Sequence, residues 1–425
     1  MNYECINMGA YNLHIINTKK FKTISVEVDF RRNIVKEDIT KRNLLKSILL
    51  HSTKEYKTER ELIKQTENLY DLKLISANMR IGNYSNLSFK VKFLNEKYTE
   101  VGMNRESISL LMDVIFKPNI EDSSFLEENL DKCKNKLEKS IKSLKDNKLK
   151  YTLFKLLETT GEMPYAYNSY GYLEDLSKIN GKNLYEYYKS MIENDLIDIF
   201  IVGDVDRLEM KEIFKEYFKA RTFKKSNTDV LVRELPKEKK IIFKEEVDSV
   251  NQTQLTILCN INNLTDFERK YALLVYNEIL GGSSNSLLFD TVREKNSYAY
   301  YINSIIKSYD NIMMIYSGIE NGNEENVLKL IKKVLQNMSK GKFDRDIFEN
   351  AKETIIASIK SSKDSQTGII NTYYAKVLAG SKDFEERIEN IKKVDVNDII
   401  NVAKKISIHT VYTLKGDNNE EDKDK

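Results

Sequence analysis

The sequence predicts an α+β fold built twice: two duplicated domains, each an antiparallel or mixed sheet with helices packed on one face. Three observations carry that prediction. The first is literal repetition, since Ser140-Ile-Lys-Ser-Leu-Lys-Asp146 recurs as Ser358-Ile-Lys-Ser-Ser-Lys-Asp364, and Phe125 and Lys134 match Phe343 and Lys352 at the same offset. The second is that the whole succession of elements recurs about 220 residues later. The third is grouping: strands pair as hairpins beside blocks of helix, without the one-by-one alternation that builds a parallel sheet.

Taken in order, residues 10–30 alternate apolar and polar around Leu13, Ile15, Ile24, Val26, Val28 and Phe30, which predicts two strands. Leu44, Leu45, Ile48 and Leu49 have helical spacing, and a second helix is expected over 57–70. Strands at Lys73–Arg80 and Asn86–Phe93 are joined by a turn at Gly82-Asn83. A helix carrying Ile108, Leu111, Met112 and Ile115 stops before Pro118, and a charged helix follows over 123–147. In the second half the same succession reads as a strand Gln252–Asn260, a helix Phe267–Leu280, a hairpin Tyr300–Ser308 with Asn311–Ile319, and a helix bearing Val327, Leu330, Ile331 and Val334. Each half closes on an apolar strand before Gly-Asp, at Ile197–Val202 and Ile406–Leu414. The domains are therefore expected at 1–223 and 241–416, with a basic linker over 224–240 and a charged, apolar-free tail over 417–425.

One stretch is locally unusual, Leu280-Gly-Gly-Ser-Ser-Asn-Ser-Leu-Leu-Phe-Asp-Thr-Val-Arg-Glu-Lys-Asn-Ser-Tyr-Ala-Tyr300. Gly281 and Gly282 permit positive φ or a close backbone approach. Ser283, Ser284 or Asn285 could cap a helix whose Leu287, Leu288 and Val292 share a face. Arg293 then falls near the helix end and Tyr300 in a tyrosine-rich strand, so that the two can converge across the junction.

Composition excludes several classes. A chain of 425 residues with a net charge of +3 and interspersed lysines and acids has no nucleic-acid footprint. No apolar run reaches the length of a spanning helix, and the N-terminus lacks the pattern of a secretory signal, so a soluble cytoplasmic protein without membrane association is expected. Cys5, Cys133 and Cys259 are odd in number and far apart, which suits a reducing compartment and offers no metal or redox pair. His14, His51 and His409 are the only histidines and no two lie within a helical turn, so a two-histidine zinc helix of either orientation is absent. Nucleophile elbow, Walker loop and dinucleotide fingerprint are missing as well. His409 reads as a sheet-face or core residue, and His14 and His51 have no evident partner.

The stretch Leu280-Gly-Gly…Leu-Phe…Val-Arg-Glu-Lys…Tyr-Ala-Tyr300 resembles the C-terminal-domain signature of the pitrilysin/insulinase family of inverted-motif zinc peptidases, and the likeness extends over nearly the whole chain, including Gly203-Asp204-Val205-Asp206 and His51–Tyr98. The nearest likeness is to a bacterial branch that lacks the metal motif and works beside a zinc-bearing partner, one member being named for association with elongation factor P 5-aminopentanol modification. Where catalytic relatives carry His-x-x-Glu-His, this chain reads Asn43-Leu-Leu-Lys-Ser47: Asn43 and Ser47 replace the histidines and Lys46 the glutamate. A remote glutamate ligand would fall near Glu127, Glu128 or Glu138. The resemblance also implies an arginine and a tyrosine that reach the substrate backbone, matched here by Arg293 and Tyr300, with Ser297 in place of the usual glycine before the strand. It implies, finally, clam-like halves enclosing a chamber, no zinc in this chain, and a substrate-binding role with Arg293, Tyr300, Gly281 and Gly282 facing a peptide at the zinc of a partner subunit. A purely structural or peptide-binding accessory role is the alternative.

Overall fold

The computed structural model describes residues 1–218, 229–236 and 240–416. The tail at 417–425 lies outside them, as does the expected linker apart from 229–236 and 240. Strand β1 (Asn2–Asn7) pairs with β2 (Asn12–Asn17), and β3 (Thr23–Asn33) leads to helices α1 (Ile39–Ile48) and α2 (Glu59–Asn68). The hairpin β4 (Lys73–Ile81) and β5 (Tyr84–Leu94) precedes α3 (Met103–Phe116), a two-stranded ribbon β6 (Ile120–Glu121) and β7 (Ser124–Phe125), and α4 (Glu127–Lys142). After α5 (Lys148–Glu158), α6 (Leu173–Leu176) and α7 (Gly181–Asn194), strand β8 (Leu196–Gly203) and α8 (Arg207–Lys215) follow. The second half holds β9 (Ile242–Asp248), β10 (Thr253–Ile261), a helical segment from Glu268 to Gly282 with α9 (Leu273–Asn277) at its centre, the turn Phe289–Glu294, and the hairpin β11 (Ala299–Lys307) and β12 (Ile312–Ile319). Helices α10 (Glu324–Ser339) and α11 (Arg345–Ser362) and three more precede β13 (Ile406–Gly416).

Local chemistry accounts for these boundaries. In β3, Ile24, Val26, Val28 and Phe30 are fully buried on one face, as period-two alternation demands. Helix α2 opens on a Thr58/Glu61 capping box, which satisfies two otherwise orphaned backbone donors and stabilises by about 1 kcal/mol. Gly82 adopts φ +56° in the β4–β5 turn; a Cβ there would lie 1.8 Å from the Val230 carbonyl oxygen, so only glycine fits.

Sheet order establishes the duplication more firmly than sequence identity does. The first sheet runs β1-β2-β8-β3-β5-β4 and the second β11-β12-β10-β13-β9. Read from β9, the second sheet matches β2-β8-β3-β5-β4 strand for strand, including the one parallel pair in each, β2 with β8 and β9 with β13. β4 and β11 are equivalent edge strands, each following a helical stretch.

The chain forms two compact units, residues 1–142 with 168–230, and residues 143–167 with 231–425. Residues 143–167, which the sequence reading assigns to the first domain, thus pack with the second sheet. The reason is apolar: Tyr151, Leu156, Met163 and Tyr165 share a core with Leu258, Met314, Tyr412 and Leu414. Tyr151 Oη also donates to Glu246 Oε1 at 2.8 Å.

In the first unit, α1 is bolted to the sheet by a fully buried arginine. Arg42 donates to Asp195 Oδ2 at 2.8 Å and to the Phe30 carbonyl at 2.6 Å, while Arg32 takes the other Asp195 oxygen. A buried, paired charge of this kind resists removal of either partner, which costs about 3–5 kcal/mol. Helix α1 is therefore held in place, and the orientation of residues 43–47 with it.

Candidate functional site

Two places claim attention, the α1 segment where zinc peptidases carry their motif and the junction before β11. In α1, Asn43 is 2% exposed, and its side-chain amide donates to the Ile39 carbonyl at 3.0 Å and the Ser169 carbonyl at 2.9 Å. Ser47 Oγ donates back to the Asn43 carbonyl at 3.3 Å. Lys46 is half-buried, and desolvation lowers its pKa. This set does not fit zinc, because an amide committed to two carbonyls, a hydroxyl and an ammonium stand where two imidazoles and a carboxylate are needed. The three glutamates named for the remote position are engaged otherwise. Glu127 Oε1 accepts from Gly181 N at the start of α7 at 2.7 Å, Glu128 pairs with Lys132 and Glu138 with Lys142. Among the described residues no cluster of three or more His, Cys, Asp or Glu could hold a metal ion.

The second place is built by one turn. The segment Phe289–Glu294 is a wide helical turn, with Lys295 N bonded to the Asp290 carbonyl at 2.9 Å, and wide turns of this kind recur at functional sites. Leu288 and Val292 bury its inner face. None of the three residues expected to cap it does so, since the helical run starts only after Ser286. Its end is closed by Ser297, whose N donates to the Arg293 carbonyl at 3.0 Å, while Tyr298 N reaches the Val292 carbonyl at 3.1 Å. Ser297 adopts φ +54°, the left-handed conformation that glycine takes without cost. The turn geometry therefore survives the serine. In the first half, Tyr70 and Asp71 adopt φ +58° and +57° at the equivalent place, between α2 and β4.

Tyr300 sits on the edge strand β11 where the ladder slips: Ala299 pairs with Ile319 and Tyr301 with Gly318, leaving Tyr300 as the extra residue of a β-bulge. A bulge re-aims a side chain, and Tyr300 is 58% exposed. Its neighbour Tyr301 turns inward and its hydroxyl bonds Gln254 Oε1. The Arg293 side chain is 45% exposed, its guanidinium stacked 4.6 Å from the Phe289 ring centroid and Nε 3.8 Å from Glu294 Oε1. No hydrogen bond joins Arg293 to Tyr300 among the described residues; Arg293 ends the turn and Tyr300 follows on β11, and both residues are exposed. They offer a guanidinium and a phenol, donors suited to a carbonyl or carboxylate oxygen.

Gly281 and Gly282 play unequal parts. Neither has positive φ; the close approach is the relevant property, and only at Gly281, where a Cβ would lie 2.8 Å from Ser304 N and 2.7 Å from Ser304 Oγ on β11. At Gly282 the obstruction is the mobile end of Glu278. Sequence reasoning missed Ser304 and Asn277, whose Oδ1 accepts from Ser304 Oγ at 3.0 Å and ties the helical segment to β11. No local pattern marks either residue.

The histidines have partners the sequence does not announce. His14 is stacked on Phe200, with Nε2 3.2 Å from Asp198 Oδ1 and Nδ1 3.0 Å from Tyr3 Oη. Burial alone would lower its pKa; hydrogen bonds and charge interactions with Asp198 and then Cys5 reverse that and push it up to about 9. His51 Nδ1 lies 3.5 Å from Glu59, and His409 is buried in β13 beside the Thr410 hydroxyl. None of these groups lies in the junction before β11.

Comparison with known proteins gives a consistent picture. The family described as "Peptidase M16 inactive domain" matches residues 178–355. The chain is 31% identical over 415 residues to the "Probable inactive metalloprotease YmfF" of Bacillus subtilis (strain 168), covering 96% of each chain. It is 26% identical to the "Uncharacterized zinc protease YmxG" of the same organism over 71% of this chain and 72% of that one. A crystal structure of a conserved protein from Enterococcus faecalis V583 superposes with a TM-score of 0.91 at 27% identity, covering 98% of this chain and 99% of the other.

Proposed function

This chain belongs to the peptidase M16 family, among its inactive metalloprotease homologues, and from that premise we propose that it is the non-catalytic, substrate-binding subunit of a two-chain zinc peptidase. Arg293 and Tyr300 hold the backbone of a peptide opposite the zinc of a partner subunit of the same family. The observation that carries this reading is the bulge at Tyr300, which interrupts the ladder and leaves a large aromatic residue exposed on the strand that follows the exposed Arg293. A purely structural subunit gains nothing from either feature. Donors of this kind, preorganised where charge develops on a scissile carbonyl, contribute a few kcal/mol to the transition state. The edge position of β11 adds unpaired backbone groups to which an extended peptide can bond. The workplace we propose is the cytoplasm, where three free cysteines stay reduced; among the described residues no helix is long and apolar enough to cross a membrane. The narrower likeness to a member named for elongation factor P modification rests on the sequence resemblance alone.

The test is peptide cleavage by complexes of this chain with a zinc-bearing family member at matched zinc content. Arg293→Ala and Tyr300→Phe should leave assembly and zinc intact and lower turnover, each by about 10²-fold. Wild-type turnover in both variants refutes the substrate-clamp role and leaves a structural or peptide-binding accessory protein.

A further inference from the structure

The first unit contains a cleft of about 650 Å³ that the site before β11 does not use. Its floor is aromatic. Tyr185 and Tyr188 stack with centroids 5.8 Å apart, Phe116 and Ile192 extend the apolar surface, and Tyr188 Oη donates to the Ile115 carbonyl at 2.8 Å, which fixes its ring. Its rim is cationic, with Lys54, Lys57, Lys117 and Lys189 against a single acid, Glu193. Lys117 is answered by Asp113 at 2.7 Å. The other three have no carboxylate partner among the described residues: Lys57 Nζ bonds the Asn119 side-chain oxygen at 3.0 Å, Lys189 lies 5.1 Å from the Tyr185 ring centroid, and Lys54 projects into solvent.

The rim is also preformed. Lys54 N bonds the Lys117 carbonyl at 2.8 Å and Thr53 bridges to Pro118, so the two loops that carry three of the lysines are tied to each other. Some lysines elsewhere pair with acids on their own helices, as Lys132 with Glu128 and Lys142 with Glu138; what is particular here is three lysines without a carboxylate partner gathered on the rim of one aromatic-floored cleft. Three unanswered cations around an aromatic floor repel one another, a cost that an anion removes. The volume matches one small-molecule ligand, the apolar base is the usual floor of such sites, and the charged rim suits an anionic head group.

We propose that this cleft binds a small amphiphilic anion, an aromatic or aliphatic body seated on Tyr185, Tyr188 and Phe116 with its carboxylate or phosphate head among Lys54, Lys57 and Lys189. The inference stands apart from the peptidase reading, since it uses no residue of the β11 junction. The test takes the full chain with 1-anilinonaphthalene-8-sulfonate as probe and N-phenyl-1-naphthylamine as its uncharged counterpart. The expected result is one sulfonate site per chain, whose affinity falls about tenfold or more in the double variant Lys54→Glu/Lys189→Glu, while binding of the uncharged dye is unchanged. Both lysines are exposed, so the variant should fold, and circular dichroism checks that it does. Displacement of the sulfonate by decanoate or by phenyl phosphate tells which head group the rim selects. Equal affinity in the double variant, or displacement by neither competitor, overturns the proposal.

Discussion

Replacing Ser297 by glycine should stabilise the second unit without altering the junction that carries Arg293 and Tyr300. Ser297 holds φ +54°, where an L-residue's Cβ crowds the following carbonyl at a cost of about 1–2 kcal/mol. Its side chain is exposed and makes no hydrogen bond among the described residues, so its removal forfeits no contact. Glycine takes the conformation freely but loses more chain entropy on folding, which returns about 0.4–1 kcal/mol. The net gain is about 0.5–1 kcal/mol, or roughly 1–4 °C in Tm for a unit of this size. Ser297→Val runs the other way, because a β-branched residue is strained there. Differential scanning calorimetry of the three proteins provides the assay. A glycine variant melting at or below wild type, or a valine variant melting with it, refutes the strained-turn account.

Two further predictions concern the scaffold. His14 has its pKa raised to about 9, against the effect of burial, by Asp198 and Cys5 together, so these interactions stabilise fully below the unfolded value of about 6.5 and are lost as pH rises through 9, a difference of about 3 kcal/mol; urea unfolding should therefore show the gap between wild type and His14→Gln narrowing from pH 6 to pH 9.5, and a constant gap contradicts the pairing. Gly281→Ala should destabilise by about 1–3 kcal/mol because the new methyl meets the Ser304 backbone, whereas Gly282→Ala should cost less because Glu278 can swing aside and only the Asn277 carbonyl at 3.2 Å must give slightly; equal chemical-denaturation midpoints for the two variants contradict the close-approach role.

Much of the scaffold was legible because it is written in periodicity. The alternation in β3, the 82–83 turn and the stop before Pro118 are local signals, and the structure places each within a few residues of the expectation. Strands β1 and β9 were not legible: both lie at sheet edges with mixed, partly exposed residues, where burial imposes no alternation. Residues 143–167 were assigned by chain continuity, yet Tyr151, Leu156 and Met163 find their apolar partners on β10, β12 and β13, a long-range choice that no sequence window contains. At the candidate site the spacing of Arg293 and Tyr300 was visible, but the bulge that frees Tyr300 depends on a register slip against β12 and leaves no trace in composition. The wide turns from Glu268 to Glu294 were read as ordinary helix, since a 3.6-residue period hides an added residue in a short segment.

What separates the two halves is the fate of the polar groups that a common scaffold presents. Both halves pass from a helical stretch through a left-handed turn into an edge strand, with Tyr70 and Asp71 in one and Ser297 in the other. In the first half the polar groups at this turn and in α1 are engaged by the protein itself. Tyr70 Oη bonds the Glu100 carboxylate at 2.6 Å, and in α1 the Asn43 amide is spent on two carbonyls and the Ser47 hydroxyl on a third. Groups so satisfied offer nothing to a ligand without first breaking bonds worth about 1 kcal/mol each. In the second half the Tyr300 hydroxyl has no protein partner among the described residues, and Arg293 has only a stacked ring and a distant, exposed carboxylate. Backbone hydrogen-bonding capacity left open on an edge strand is hazardous to expose, which favours its having a use. Peptide recognition, the use we propose, is one that both the exposed donors and the unpaired edge of β11 can serve.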